Sequence, residues 1–145
     1  DPLSEVTGLE VVEIHPDAAR QQETQDAKMW ESQPARCCHY NKVMPLKAVK
    51  EVYTVWMSGV HSYQTMNRAA MRIFEEVEGL IHFHPLIDIT EGEFRFHLEK
   101  DKLPRHPLEA KGYGSIGCHH CTRPGQGRAG RWADKEKEEC GLHVS

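Results

Sequence analysis

"LIHFHPLIDI" at residues 80–89 runs directly into "TEGEFRFHLEK" at residues 90–100. The first stretch is a short, mostly apolar run of strand length. The second opens with Thr90 three residues before Glu93, so that each side chain can satisfy a free backbone N–H at a helix start. It reads as a helix despite Gly92. A second short apolar run around Ile73 reads as another strand. Strands alternating with helices predict an α/β layer architecture. No internal repeat interrupts it.

Working outward, "PLKAVKEVYTVWMSG" at residues 45–59 has Pro45 in a first-turn position. Val49, Val52, Tyr53 and Trp56 follow at helical spacing, which predicts an amphipathic helix ended by Gly59. "LEVVEIHP" at residues 9–16 reads as a buried strand closed by His15-Pro16. Residues 17–31 are polar and helix-compatible. From Ser115 onward the core signal fades into glycines, basic residues and a final acidic helix. The chain therefore divides into an α/β part, residues 1–114, and a segment of different character, residues 115–145.

A formal net charge of -4 over 145 residues gives no reason to expect nucleic acid or an anionic membrane as partner. No apolar run approaches the ~18 residues of a membrane span. The start, "DPLSEV", has neither the charged nor the apolar region of a secretory signal. It also lacks an initiator methionine, as expected of a processed chain or a piece of a longer one.

The five cysteines argue against a full disulfide framework and for metal or redox chemistry in a reducing compartment. Cys37 and Cys38 are adjacent; Cys118 and Cys121 form a CxxC. Ordinary zinc modules space their cysteine pairs by two to four residues, and adjacent side chains diverge. An iron–sulfur cluster, a zinc site and unligated thiols all stay open on spacing alone.

"GQGRAG" at residues 125–130 has the letters of a dinucleotide loop but follows a CxxC and Pro124 rather than a strand. It reads either as a flexible turn or as a site for an anion, because Arg123, Arg128 and Arg131 are interleaved with the glycines. Last comes "KEKEECGLHVS" at residues 135–145, with Cys140 directly after five charged residues. Glu138 and Glu139 set a negative field beside the thiol, whereas a catalytic cysteine needs cationic neighbours. His143 and the arginine loop could supply them if the tail folds over an anion site. A mobile nucleophile and a solvated bystander both fit.

Taken in order, these stretches resemble the assimilatory sulfonucleotide reductases, specifically the cluster-bearing adenylylsulfate (APS) reductases. "ARCCHYNKVMPL" (35–46) resembles that family's double-cysteine segment and "HPLEAKGYGSIGCHHCTRP" (106–124) its CxxC segment. "GRW" (130–132) followed by the tail resembles its catalytic motif, and "LIDITEGEFRFHLEKDKLPRHPL" (86–108) its intervening strand and helix. The resemblance implies a 4Fe-4S cluster on Cys37, Cys38, Cys118 and Cys121, and Cys140 as the nucleophile that attacks the sulfate sulfur of APS. AMP would leave an S-sulfocysteine, from which thioredoxin or glutaredoxin releases sulfite, in cytoplasmic sulfate assimilation and cysteine biosynthesis. Lys42 would lie between cluster and sulfate. Arg128, Arg131 and His143 would belong to an anion site closed by the tail; Gln64 and Arg68 also fit the family pattern.

Relatives that act on the 3′-phosphorylated substrate (PAPS) characteristically lack both cysteine pairs, so the resemblance favours APS. A non-catalytic iron–sulfur or zinc module is the competing reading, and a homo-oligomer is compatible with either. The family usually has arginine at Asn41 and an arginine pair at His61-Ser62. The implied fold is the C-terminal part of an adenine nucleotide alpha-hydrolase-like (Rossmann-like) parallel-sheet domain, ending in a flexible catalytic tail. Its N-terminal nucleotide-binding half, with a loop such as "SGGKDS", does not occur here, so residues 1–145 alone are expected to be inactive.

Overall fold

The computed structural model describes residues 2–143. Helix α1 (Pro2–Thr7) is followed by an irregular segment and then by α2 (Ala18–Asp26), which Asp17 caps by accepting from the Arg20 N–H. Helices α3 (Met29–Ser32) and α4 (Pro34–Cys38) follow, and the chain then widens into a π-helical turn, His39–Val43, before α5 (Met44–Lys50). Strand β1 (Val55–Met57) leads through a 3₁₀ turn (Ser62–Gln64) to the short helix α6 (Met66–Ala69). Strands β2 (Phe74–Val77) and β3 (Leu80–Phe83) and helix α7 (Glu91–Lys100) complete the α/β part.

The sheet runs β1-β3-β2, with β1 parallel and β2 antiparallel to β3. It is mixed, where a parallel sheet was expected. The cause is local: Glu78 and Gly79 both have positive φ, 53° and 79°, the requirement of a two-residue hairpin turn. Phe74 and Phe83 stack across that hairpin with ring centroids 4.7 Å apart. Helix α7 starts where the sequence placed it, and both bonds of the Thr90–Glu93 capping box are formed.

Three expectations fail. Residues 9–16 form no strand, and Leu9, Val11 and Val12 are exposed. A strand needs a neighbour for its backbone groups, and no strand pairs there. The helix expected to reach Gly59 stops at Lys50; Val52 and Tyr53 are exposed, and Trp56 pairs with His82 on β3. Val52, Thr54 and Val55 are β-branched, so pairing with β3 overrides the helical spacing. The acidic tail, Lys135–Glu139, is not helical.

The interior is small and unusually polar: Val60, Ile87 and Trp132 are buried with Ser58, His61 and His84. Ser58 Oγ lies 2.7 Å from His84 Nδ1. Helix α7 docks through Phe94 against the His61 ring, 4.5 Å away. His61 thus faces the core, and burial holds its pKa below the ordinary value. Beyond α7, bridges Tyr113–Gly125 and Thr122–Arg131 fold residues 113–131 into a tight double loop. A Cβ on Gly130 would stand 2.0 Å from the Arg123 carbonyl oxygen and one on Gly114 2.6 Å from the Gly127 nitrogen. "GQGRAG" is therefore a close-packed loop whose glycines permit backbone contact, not a slack turn.

Candidate active site

Helix α4 carries Cys37 and Cys38 at its last turn, and the π-helical turn carries Lys42. Wide turns of this kind gather at functional sites. Asn41 stabilises the turn: its Nδ2 donates to the Cys37 carbonyl (2.9 Å) and to Thr24 Oγ1 (3.0 Å). It braces the cysteine segment rather than offering the charge an arginine would bring. The second pair is set by a 3₁₀ turn, His119–Cys121, in which the Cys121 N–H donates to the Cys118 carbonyl at 3.0 Å. The Thr122 hydroxyl also donates to Cys118 O at 2.8 Å. Trp30 of α3 stacks on His120 at 3.8 Å and joins the two segments.

All five cysteines are free thiols. Burial raises the pKa of Cys37, and the approach of Cys121 and Cys118 raises it further. Cys38 is raised by burial, with Lys137 and Lys42 opposing. Cys121 is raised by burial and by Cys118. Burial works against the charge on Lys42, yet its hydrogen bond to Cys118 and the nearby Cys118, Cys140 and Cys38 thiols raise its pKa overall. The two predicted pairs, Lys42 and the tail thiol therefore share one electrostatic neighbourhood. Among the described residues, no three or more His, Cys, Asp or Glu side chains close into a ligand set for a metal ion.

The tail supplies the other half of the site. Glu139 forks onto Arg68, Oε1 to Nε at 2.7 Å and Oε2 to Nη2 at 2.9 Å, and accepts from the Thr65 hydroxyl at 3.1 Å. Both side chains are nearly closed off from water, at 9% and 8% exposure. Arg68 also donates to Gln64. Arg128 lies 3.5 Å from Glu139 and donates to the Glu138 carbonyl. Burial pushes the Glu139 pKa up, but the Arg68 hydrogen bond and the two guanidinium charges bring it below the usual carboxylate range. Arg131 lies over Trp132 at 4.5 Å and donates to Ile116 O at 3.0 Å, and its buried Nε has no partner. A cavity of about 630 Å³ lies between this loop and the 3₁₀ turn, lined by Ser62, Gln64, Thr65, Arg128, Arg131 and Lys137.

The structure thus brings Arg128 near Arg68 and Arg131, and His143 near Arg68, while Arg123 turns outward to an exposed pair with Asp134 at 3.1 Å. His143 is not the cation the sequence suggested. Burial first, then Arg68, lowers its pKa from 6.5 to about 4. Below the ordinary value the undocked tail takes up a proton that the docked tail refuses, so docking weakens as pH falls from 6.5 toward 4, by up to about tenfold per unit. The His143 ring protons should titrate by NMR with a midpoint near 4; a midpoint near 6.5 would show an undocked tail. Sequence reasoning missed Thr65, Lys137 and the role of Glu139. Only the place of Glu139 beside Cys140 could have flagged it.

Residues 3–124 match the family model of the phosphoadenosine phosphosulfate reductase domain. Among curated relatives, the adenosine 5'-phosphosulfate reductase of Salinibacter ruber is 35% identical, with the match covering 100% of this chain and 61% of the relative. That of Halalkalibacterium halodurans is 40% identical, over 85% of this chain and 56% of the relative. The chain therefore spans roughly six-tenths of the length of the curated relatives it matches. The crystal structure of phosphoadenylyl-sulfate reductase from Candida auris shares the fold, with a TM-score of 0.57 over 79% of this chain and 53% of that one, at 19% identity. With the family model spanning most of its length, the chain belongs to the phosphoadenosine phosphosulfate reductase domain family, together with relatives named adenosine 5'-phosphosulfate reductases.

Proposed function

We propose that the protein of which these residues form part reduces adenylylsulfate to sulfite and AMP, with Cys140 as nucleophile. The observation that carries this is the docked tail, which sets Cys140 within electrostatic reach of both Lys42 and Arg128. The names of the relatives favour APS over the 3′-phosphorylated substrate. The Cys140 thiolate attacks the sulfate sulfur, the bond from that sulfur to the AMP phosphate oxygen breaks, and AMP departs. A dithiol reductant of the thioredoxin or glutaredoxin class then attacks the S-sulfocysteine. Sulfite leaves, Cys140 returns as a thiol, and the reductant ends as a disulfide, so two electrons pass to sulfur. Lys42, Arg128 and Arg131 offset the charge of the sulfate and the leaving phosphate.

The residues also fit the implied 4Fe-4S cluster. Cys37, Cys38, Cys118 and Cys121 are four soft donors from two segments, and the thiols perturb one another across the gap. When bound, the cluster would take the four thiols as thiolates and tie α4 to the CxxC turn. Adenylate would be held by the Rossmann-like half in the part of the relatives this chain does not cover. Free thiols throughout suit a cytoplasmic enzyme, and among the described residues no helix is long and apolar enough to cross a membrane.

The test is sulfite release from APS by the full-length protein supplied with thioredoxin. Absence of sulfite refutes the activity. Arg128→Ala or Arg131→Ala should each cost about 1.5–3 kcal/mol in kcat/KM, the scale of a charge-assisted hydrogen bond. An unchanged kcat/KM would return the arginine loop to a purely structural role.

A further inference from the structure

The residues that receive the tail are Thr65, Asn67 and Arg68, all at the start of α6. They hold it on both sides of the thiol. Before Cys140, Glu139 is gripped by Arg68 and Thr65. After it, Gly141 turns in the left-handed region at φ 92° against Val43 of the lysine-bearing turn, and Asn67 Nδ2 donates to the His143 carbonyl at 3.2 Å. The grip at Glu139 is the strong one, because a bidentate guanidinium–carboxylate pair is directional as well as charged. Once buried it also cannot lose one partner cheaply.

We propose that Glu139 is a positioning residue whose carboxylate, forked on Arg68, latches the tail so that Cys140 faces Lys42 and Arg128. Its negative charge is consumed in this pairing and does not burden the thiol. The latch also keeps Lys137 at the wall of the arginine-lined cavity, so one carboxylate sets both the nucleophile and a cation of the anion site. The importance of this latch rests on Cys140 being the reacting thiol, but its existence does not, and the test needs no turnover.

Protein purified anaerobically is alkylated with iodoacetamide at fixed pH, and the tryptic peptide that begins at Glu138 and carries Cys140 is followed by mass spectrometry. Glu139→Gln and Arg68→Gln should each speed alkylation of Cys140 about tenfold or more, with the rates of the other four cysteines unchanged. Glu139→Asp, which keeps the charge, should stay within about threefold of wild type. The double variant should react no faster than the faster single, because one pair is lost only once. A wild-type rate in Glu139→Gln, or a double variant whose effect is the product of the two singles, overturns the latch. Should Arg68→Gln fail to fold, the Gln and Asp variants of Glu139 on the tail still decide. A latch that passes while APS yields no sulfite would refute the proposed activity alone.

Discussion

In a polypeptide that includes the adenylate-binding half, Cys140→Ser is expected to keep its iron and its affinity for APS yet form no sulfite. Intact mass after incubation with APS and no reductant should rise by about 80 Da, one SO₃ group, in wild type and not at all in the serine variant. The physical basis is the placement of the thiol. The anchors on either side of Cys140 belong to other residues, so replacing sulfur by oxygen removes the nucleophile without releasing the tail. A serine hydroxyl is almost fully protonated at neutral pH, and a His143 imidazole whose pKa is lowered to about 4 is too weak a base to activate it. Turnover by the serine variant would make Cys140 a bystander and end the proposed mechanism.

The second large effect is expected at the CxxC. Cys118→Ser or Cys121→Ser should abolish iron and acid-labile sulfide, because a hard hydroxyl replaces a soft thiolate. A brown anaerobic preparation absorbing broadly near ~400 nm would mark the cluster; bound zinc is colourless, as a d¹⁰ ion must be. Iron and sulfide content that survives both changes would overturn the four-cysteine assignment.

Where the sequence was legible, the governing interactions were short in range. The Thr90–Glu93 box, the strand before it and the CxxC turn are each closed by groups a few residues apart. The cysteine pairs and the tail motif announced themselves by spacing and order. The helix expected to reach Gly59 failed because a strand's preference is decided by its neighbour, and β3 lies more than twenty residues further along the chain. For residues 9–16 the same logic ran the other way: an apolar run without a partner strand has nothing to pair with.

Charge was the least legible property. Read along the chain, Glu139 sets a negative field that disfavours the thiolate beside it, and His143 is a convenient cation. In three dimensions Arg68 and Arg128 meet Glu139 and make it the anchor of the tail, while burial strips His143 of its proton. By itself the sequence determined the α/β class, the five cysteines and their spacing, and the family. Which charges face one another, and so what holds Cys140 in place, only the tertiary structure decided, because the energy of a charge depends on its surroundings in space and on its distance from water.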